Sequence, residues 1–329
     1  MFQSIKEMLT KEVEWCSIAH WYPYFKKVTF KTIILHLNNE ILDYLRSDGS
    51  LILPKECWVD FNEDTADNEE NSEDDDDNKF EQPSFPNFNE QVLDAIDRLG
   101  GKVFVKLNWS APRDASWMGM GNSLQCENLK EIWLLLKSSE FITHDLTQPF
   151  KDCIDKPDDI SGINYVLALK RWSPIINPAT EFRCYIKKKK LFAIEQRDSS
   201  NFYPHIAEEQ QSIICDILSF FDEHVVDKIE EIQNVVMDIM RPMKDHVKLI
   251  DFNPFGETTD AKLFSWSELI EADNSDIEFR FVENESGIQP NDLRYYSLPS
   301  DIVDMACGTD HEKLVDFLKL QSDLQNKDD

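Results

Sequence analysis

Three oxygen-bearing side chains interrupt two otherwise apolar runs in the C-terminal half of the chain: Asp238 within residues 235–240, and Asp251 and Asn253 within residues 247–254. Both runs are filled by β-branched and other apolar residues. The residues between them, 241–245, include Pro242 and have turn chemistry, so the pattern predicts a β-hairpin. With the turn centred near Lys244 and Asp245, Asp238 lies across from Asp251, and Asn253, two residues on, points to the same face. Like charges facing each other across a ladder repel, so the pair requires a cation or a shared proton. A hard, oxygen-seeking cation is the simplest answer, and magnesium suits the set better than zinc because neither Cys nor His joins it. The plainer reading is that all three are strand-end polar residues in contact with water.

Several cations stand on or just beyond strand-like runs. Residues 102–107 read as a strand that delivers Lys106 to the polar loop Asn108-Trp-Ser-Ala-Pro-Arg-Asp114. A second strand-like run, 165–169, ends in Lys170-Arg171-Trp172. Residues 181–186 and 191–195 read as a hairpin turning at the four lysines 187–190, with Arg183 on its first strand and Arg197 just past its second. Each arginine could face a cleft or make a surface ion pair. Taken together the parts suggest a nucleotide site. Arginine grips phosphate through paired hydrogen bonds and lysine supplies a point charge, while Trp172 could cover a base and the acids could hold magnesium. The sequence holds no Walker motif and no G-x-S-x-G elbow, and its nine glycines leave no Gly-rich phosphate loop of the Rossmann kind.

Helix and strand signals alternate through the segments that must position these groups. Residues 31–37 are β-rich, 40–45 are amphipathic and stop at Ser47-Asp-Gly49, and 91–99 read as a short helix closed by Gly100-Gly101. From 208 to 226, Ile213, Ile214, Ile217, Leu218, Phe221 and Val225 recur at helical spacing. Residues 273–292 lack periodicity and read as loop, and 310–321 form a closing helix ahead of a polar tail.

The chain has 329 residues and a net charge of −29, which argues against unassisted binding to nucleic acid and favours a basic protein partner. Eleven Asp or Glu and no Lys or Arg lie between Asp60 and Asp77. Such a run repels itself and reads as a disordered insert, extended to about residue 90 by Pro83 and Pro86. Seven scattered cysteines without a C-x-x-C pair suggest a reduced intracellular protein. No apolar run reaches the ~18 residues of a membrane span and no signal-peptide pattern opens the chain, so a cytoplasmic protein is expected, with a monomer as the default.

Four longer motifs carry a resemblance. Lys106-Leu-Asn-Trp-Ser-Ala-Pro-Arg-Asp-Ala115, Glu181-Phe-Arg-Cys184, Gln196-Arg-Asp198 and Leu249-Ile-Asp-Phe-Asn-Pro-Phe255 resemble the cell-division-cycle 123 family of eukaryotes. The resemblance runs from His20-Trp-Tyr-Pro23 to residues 313–318. It implies an α+β, ATP-grasp-like fold in which two α+β lobes enclose Mg-ATP. The expected division is an N-terminal α/β region over 1–101 with its acidic insert at about 60–81, a first lobe over 102–169 and a second over 170–329. By resemblance, Lys106 and the loop residues Ser110, Ala111, Arg113 and Asp114 contact phosphates. Lys170, Arg171 and Trp172 form the hinge beside adenine, Glu181 lies near the ribose, and Arg183 and Arg197 lie on the phosphate side. Asp238, Asp251 and Asn253 match the acidic residue and Asp-x-Asn pair that hold the metal in ATP-grasp proteins. One departure is that the loop carrying Ser110 and Asp114 has no glycine, whereas ATP-grasp ligases use a glycine-rich one.

The resemblance also implies a function. It points to an assembly chaperone that binds the gamma subunit of eukaryotic translation initiation factor 2 and helps the trimer form, supporting translation initiation and the cell cycle. No catalytic residue is assigned on that reading. The rival is a carboxylate–amine ligase working through an acyl-phosphate.

Overall fold

A computed structural model describes residues 8–47, 51–61, 82–272 and 276–290. In chain order the helices are α1 (Thr10–Trp15), α2 (Ile18–Phe25), α3 (Asn39–Arg46), α4 (Pro86–Leu99), α5 (Leu129–Lys137), α6 (Glu140–Thr147), α7 (Pro204–Glu208), α8 (Gln210–His224) and α9 (Trp266–Glu271). The strands are β1 (Thr32–His36), β2 (Val103–Lys106), β3 (Gln125–Cys126), β4 (Val166–Arg171), β5 (Glu181–Lys187), β6 (Lys190–Gln196), β7 (Val235–Met243), β8 (His246–Asn253) and β9 (Glu278–Arg280). They form two sheets, one of order β1-β4-β2-β3 and one of order β8-β7-β5-β6-β9. Among the described residues no helix is long and apolar enough to cross a membrane, and the six described cysteines are free thiols.

Alternation along β4 explains how the layers stack. Val166 and Ala168 enter a core shared with α2, α8 and the second sheet, whereas Leu167 and Leu169 enter the core built by α3, α4 and α5. One strand therefore presents one face to its own helices and the other to the opposite sheet. β1 of the N-terminal region completes the first sheet, pairing along β4 from Thr32 opposite Lys170 to His36 opposite Val166. The border expected at 169/170 falls within β4.

The segment holding α1 and α2 bolts the two sheets together. On one side the Ile18 N–H donates to the Asn108 carbonyl at 2.8 Å and the Trp109 indole to the Val13 carbonyl at 2.7 Å. On the other, the Leu249 N–H donates to the Val28 carbonyl at 2.9 Å and the Thr29 hydroxyl to the Leu249 carbonyl at 2.8 Å. Trp15, Trp21 and Phe25 surround the Phe252 ring at 5.0, 5.7 and 5.1 Å between centroids. Phe25 and Phe252 are fully buried, and each such ring contributes roughly 1.5–3 kcal/mol relative to leaving it exposed.

The structure revises several expectations about elements. The helix expected over 91–99 begins at Pro86, whose missing N–H suits the first helical position, so the preceding loop ends well short of residue 90. Gly100 closes that helix at φ +97°, as the sequence indicates. Arg241, Pro242 and Met243 belong to β7 and not to the turn. The ladder breaks between Met240 and Met243, which tolerates a proline that has no N–H to give. Lys244 and Asp245 alone form the turn, with Asp245 at φ +61°. The lysine hairpin likewise turns on Lys188 and Lys189, both at positive φ. The helix expected over 208–226 is α8, and the short α7 precedes it. Residues 273–292 are not all loop: β9 pairs parallel with β6, and Phe279 packs 5.9 Å from the Phe182 ring. Residues 62–81 of the acidic insert and the helix expected over 310–321 lie outside the described residues.

Candidate functional site

Period-two alternation places the charged residues of the second sheet on one face. Phe182, Cys184 and Ile186 of β5, and Val235, Met237 and Ile239 of β7, enter the core beside α8, which turns Arg183 and Asp238 to the opposite face. In β8, Leu249 and Phe252 both reach that core although they stand three positions apart, which simple alternation would put on opposite faces. A bulge makes this possible. Asp251 lies opposite Asp238, yet Leu249 lies opposite the very next residue, Ile239, so the extra residue turns Asp251 and Asn253 to the site face while keeping Leu249 inside. The result is a row of directly opposed charges across five strands: Arg280, Glu195, Arg183, Asp238 and Asp251. Lys106 and Lys170 approach from the first sheet, Lys170 on the face of β4 that holds Val166 and Ala168.

Arg183 grips Asp238 with two parallel bonds, Nε to Oδ1 and Nη2 to Oδ2, both 2.8 Å. It also donates to the Asp260 carbonyl. The Asn253 amide donates to Asp238 Oδ2 at 3.1 Å. Arg197 Nε lies 3.3 Å from that oxygen, an ion pair too bent for a hydrogen bond, and its Nη1 pairs with Glu181 Oε2 at 2.8 Å. The Lys106 ammonium, 1% exposed, pairs with Asp251 Oδ2. The other Asp251 oxygen is buried and accepts no hydrogen bond. Lys170 donates to the Ile250 carbonyl at 2.6 Å and lies 5.5 Å from the Trp21 ring centroid.

Five cations (Lys106, Arg113, Lys170, Arg183, Arg197) thus surround three carboxylates (Glu181, Asp238, Asp251), a formal excess of two positive charges. Burial opposes the ionised Asp238 carboxyl, but Arg183 and Arg197 overcome it and hold the group well below the usual carboxylate range. Burial would lower Arg183, and Asp238 instead raises it above its ordinary value. Burial lowers Lys170 to about 8, with Asp251 opposing and Lys106 adding to the shift. Burial and then the positive charges of Arg197 and Arg183 lower Arg113 to about 10. The half-buried Arg113 guanidinium forms no hydrogen bond or ion pair with any described residue.

Not every expected residue turns its side chain to this centre. The Ser110 N–H and hydroxyl both donate to Asp145, at 2.7 Å each, and Trp109 N–H adds a third bond at 3.3 Å. Asp114 is buried and caps α6, accepting from the Ser139 hydroxyl at 2.5 Å and from the Glu140 and Phe141 N–H groups at 2.6 and 3.3 Å. The Ala111 carbonyl accepts from the Arg113 N–H at 2.7 Å, which tightens the loop ahead of Arg113. Arg171 is exposed, and Trp172 is half-buried with its N–H on the Lys102 carbonyl at 3.0 Å.

Asp145 escaped the sequence reading. Burial raises its carboxyl to about 6 despite the bonds from Ser110. A carboxylate on the buried stripe of α6 beside Ile142 and Leu146 was the available signal. Glu195 is a second such group. It is fully buried and accepts from the Lys262, Leu263 and Phe264 N–H groups and the Tyr185 hydroxyl, pinning the chain that supplies the Asp260 carbonyl.

The profile of the D123 family matches residues 21–306. The chain belongs to the D123 family. Among its relatives are proteins named translation initiation factor eIF2 assembly protein from Xenopus tropicalis, 40% identical over 98% of this chain and 99% of the relative, and from Danio rerio, 42% identical over 97% of each. Among solved structures, Cdc123 from Schizosaccharomyces pombe superposes with a TM-score of 0.69 at 32% identity, covering 83% of this chain and 98% of that one. The fold is accordingly α+β and ATP-grasp-like. The D123 match spans every site residue from Lys106 to Asn253.

The donor set fits a hard cation such as magnesium. Asp251 offers one buried oxygen with no donor on it, and Asn253 offers an amide oxygen on the same face. No group of three or more His, Cys, Asp or Glu suited to a metal occurs among the described residues. An ion here would therefore depend on Asn253 and on oxygens brought by a ligand, the habit of magnesium with phosphates.

Proposed function

We propose that this D123 protein binds Mg-ATP between its two sheets and acts in the cytoplasm as an assembly factor for translation initiation factor eIF2, with the gamma subunit as its direct partner. The observation that carries the nucleotide reading is the undonated buried oxygen of Asp251 in the midst of five cations. A positive, partly dry cluster with one spare carboxylate oxygen is complementary to a polyphosphate and its metal. Arg113, Lys106, Arg183 and Arg197 would meet phosphate oxygens, Lys170 and Trp172 would flank the base, and Glu181 would stand near the ribose. Asp238, Asp251 and Asn253 would hold the magnesium, which neutralises phosphate charge when bound. The assembly role rests on the names of relatives that match nearly the whole chain, and the net charge of −29 suits a basic protein partner. Nucleotide would bias the two sheets toward one arrangement and so tune the partner surface, by no more than its preference for that arrangement.

The test is calorimetric titration of Mg-ATP into the protein and into Asp251→Ala, with phosphate release and affinity for the isolated gamma subunit measured on the same samples. Binding that needs Asp251, tightens the gamma complex and proceeds without phosphate release is the expected outcome. Absence of Mg-ATP binding sinks the nucleotide reading. Phosphate release stimulated by a carboxylic acid and an amine would make the protein a ligase.

A further inference from the structure

We propose that Lys106 is a built-in counter-ion that makes the site refuse a free divalent cation and accept one only together with a polyphosphate. The inference rests on the nucleotide reading above and adds a rule of admission to it.

Lys106 is 1% exposed, so its ammonium has no water to retire to and must keep an anionic partner. That partner is Asp251, the same carboxylate whose second oxygen stands ready for a metal. The two roles compete. A lone divalent cation arriving at Asp251 meets the ammonium already paired there and the charges of Arg183, Arg197 and Arg113 close by. It also brings no anion for Lys106 to turn to, and two cations sharing one carboxylate in a poorly solvated site repel strongly. A polyphosphate changes this, because its oxygens offer Lys106 a new acceptor and so release Asp251. Asp238 gives a lone cation no easier entry, since Arg183 keeps hold of it until a phosphate draws the guanidinium away. Both oxygens of Asp238 are already occupied by Arg183, and Asn253 adds a further bond to one of them. The excess of two positive charges points the same way: it disfavours a free divalent cation and favours the anionic metal–triphosphate complex.

The experiment uses the full-length protein and Mn2+, whose paramagnetism reports binding directly. Mn2+ alone, ATP alone and Mn2+-ATP are titrated into wild type, Asp251→Ala, Lys106→Met and Lys106→Arg, and each protein is also melted with and without Mn2+. Wild type is expected to saturate with Mn2+-ATP and, over the same concentrations, to take up no more Mn2+ alone than Asp251→Ala does, a reference that subtracts ions held by acidic residues elsewhere in the chain. Lys106→Met, similar in size but uncharged, is expected to bind Mn2+ alone at least about tenfold more tightly than wild type and to melt higher in its presence. Lys106→Arg, which keeps the charge, should exclude Mn2+ as wild type does. Wild type that takes Mn2+ alone as readily as Mn2+-ATP, or a folded Lys106→Met with no gain, overturns the proposal and leaves the nucleotide reading standing. Failure of wild type to bind Mn2+-ATP removes both. Where Lys106→Met does not fold, the wild-type comparison decides alone.

Discussion

Asp238→Asn is the sharpest probe of how the site is held together. Asp238 is 1% exposed and shares a bidentate pair with Arg183, itself 5% exposed, while Arg197 and Asn253 lean on the same carboxylate. Asn preserves the shape but removes the charge and turns one acceptor into a donor aimed at arginine N–H groups. Leaving one member of a buried pair uncompensated costs about 3–5 kcal/mol. At this chain length that corresponds to a fall in melting temperature of roughly 6–10 °C, taking about 2 °C per kcal/mol. Arg183→Met should cost a comparable amount, because it strands the carboxylate instead. The double variant should cost far less than the sum, with a coupling energy of at least about 2 kcal/mol, since neither charge is then left alone. Urea and thermal unfolding of the four proteins supply the cycle. Additive losses, or an Asp238→Asn midpoint within about 0.5 kcal/mol of wild type, would refute the claim that this pair is a single buried unit.

Two further outcomes follow from the charges around the site. Lys170 has its pKa lowered to about 8 by burial, so it carries its charge below that pH and loses it above. Mg-ATP affinity should therefore fall as pH rises past about 8, by at most tenfold per pH unit, and a pH series of calorimetric titrations that stays flat to pH 9.5 would exclude Lys170 from contact with the nucleotide's charge. Asp145→Asn should place an amide donor against the N–H groups of Trp109 and Ser110. A loss of stability of about 1–3 kcal/mol is expected, together with weaker Mg-ATP binding because the loop that presents Arg113 is freed; unfolding and titration with unchanged midpoints and affinity would show that the loop needs no such anchor.

What the sequence made plain was whatever period-two alternation controls. The pairing of Asp238 with Asp251, and Asn253 on their face, follows from β-branched runs and a two-residue turn, and the structure has that register. The bulge that allows Leu249 and Phe252 to share a core was hidden, because one inserted residue leaves no mark on composition. The pairing of Lys106 with Asp251 joins residues 145 positions apart on different sheets, and no local pattern encodes such a meeting. Ser110 and Asp114 are assigned to phosphate by resemblance alone, and no local pattern places their side chains. Packing instead ties both to α6, where Asp145 and the open N-terminus offer partners that a linear reading does not place nearby. β9 was missed because three residues of mixed charge become a strand only when Phe279 finds Phe182.

The bolt formed by α1 and α2 has a consequence for biosynthesis. Thr29 pairs with Leu249, 220 positions later, and Trp15, Trp21 and Phe25 close on Phe252. α1 and α2 therefore leave the ribosome long before β8 and wait for it. At synthesis rates of about 5–20 residues per second that wait lasts roughly 10–45 s, during which three large aromatic side chains have no native cover. Long-range closure of this kind also slows folding once the chain is complete. A chain closed this non-locally leaves apolar surface exposed to aggregation while it is being made.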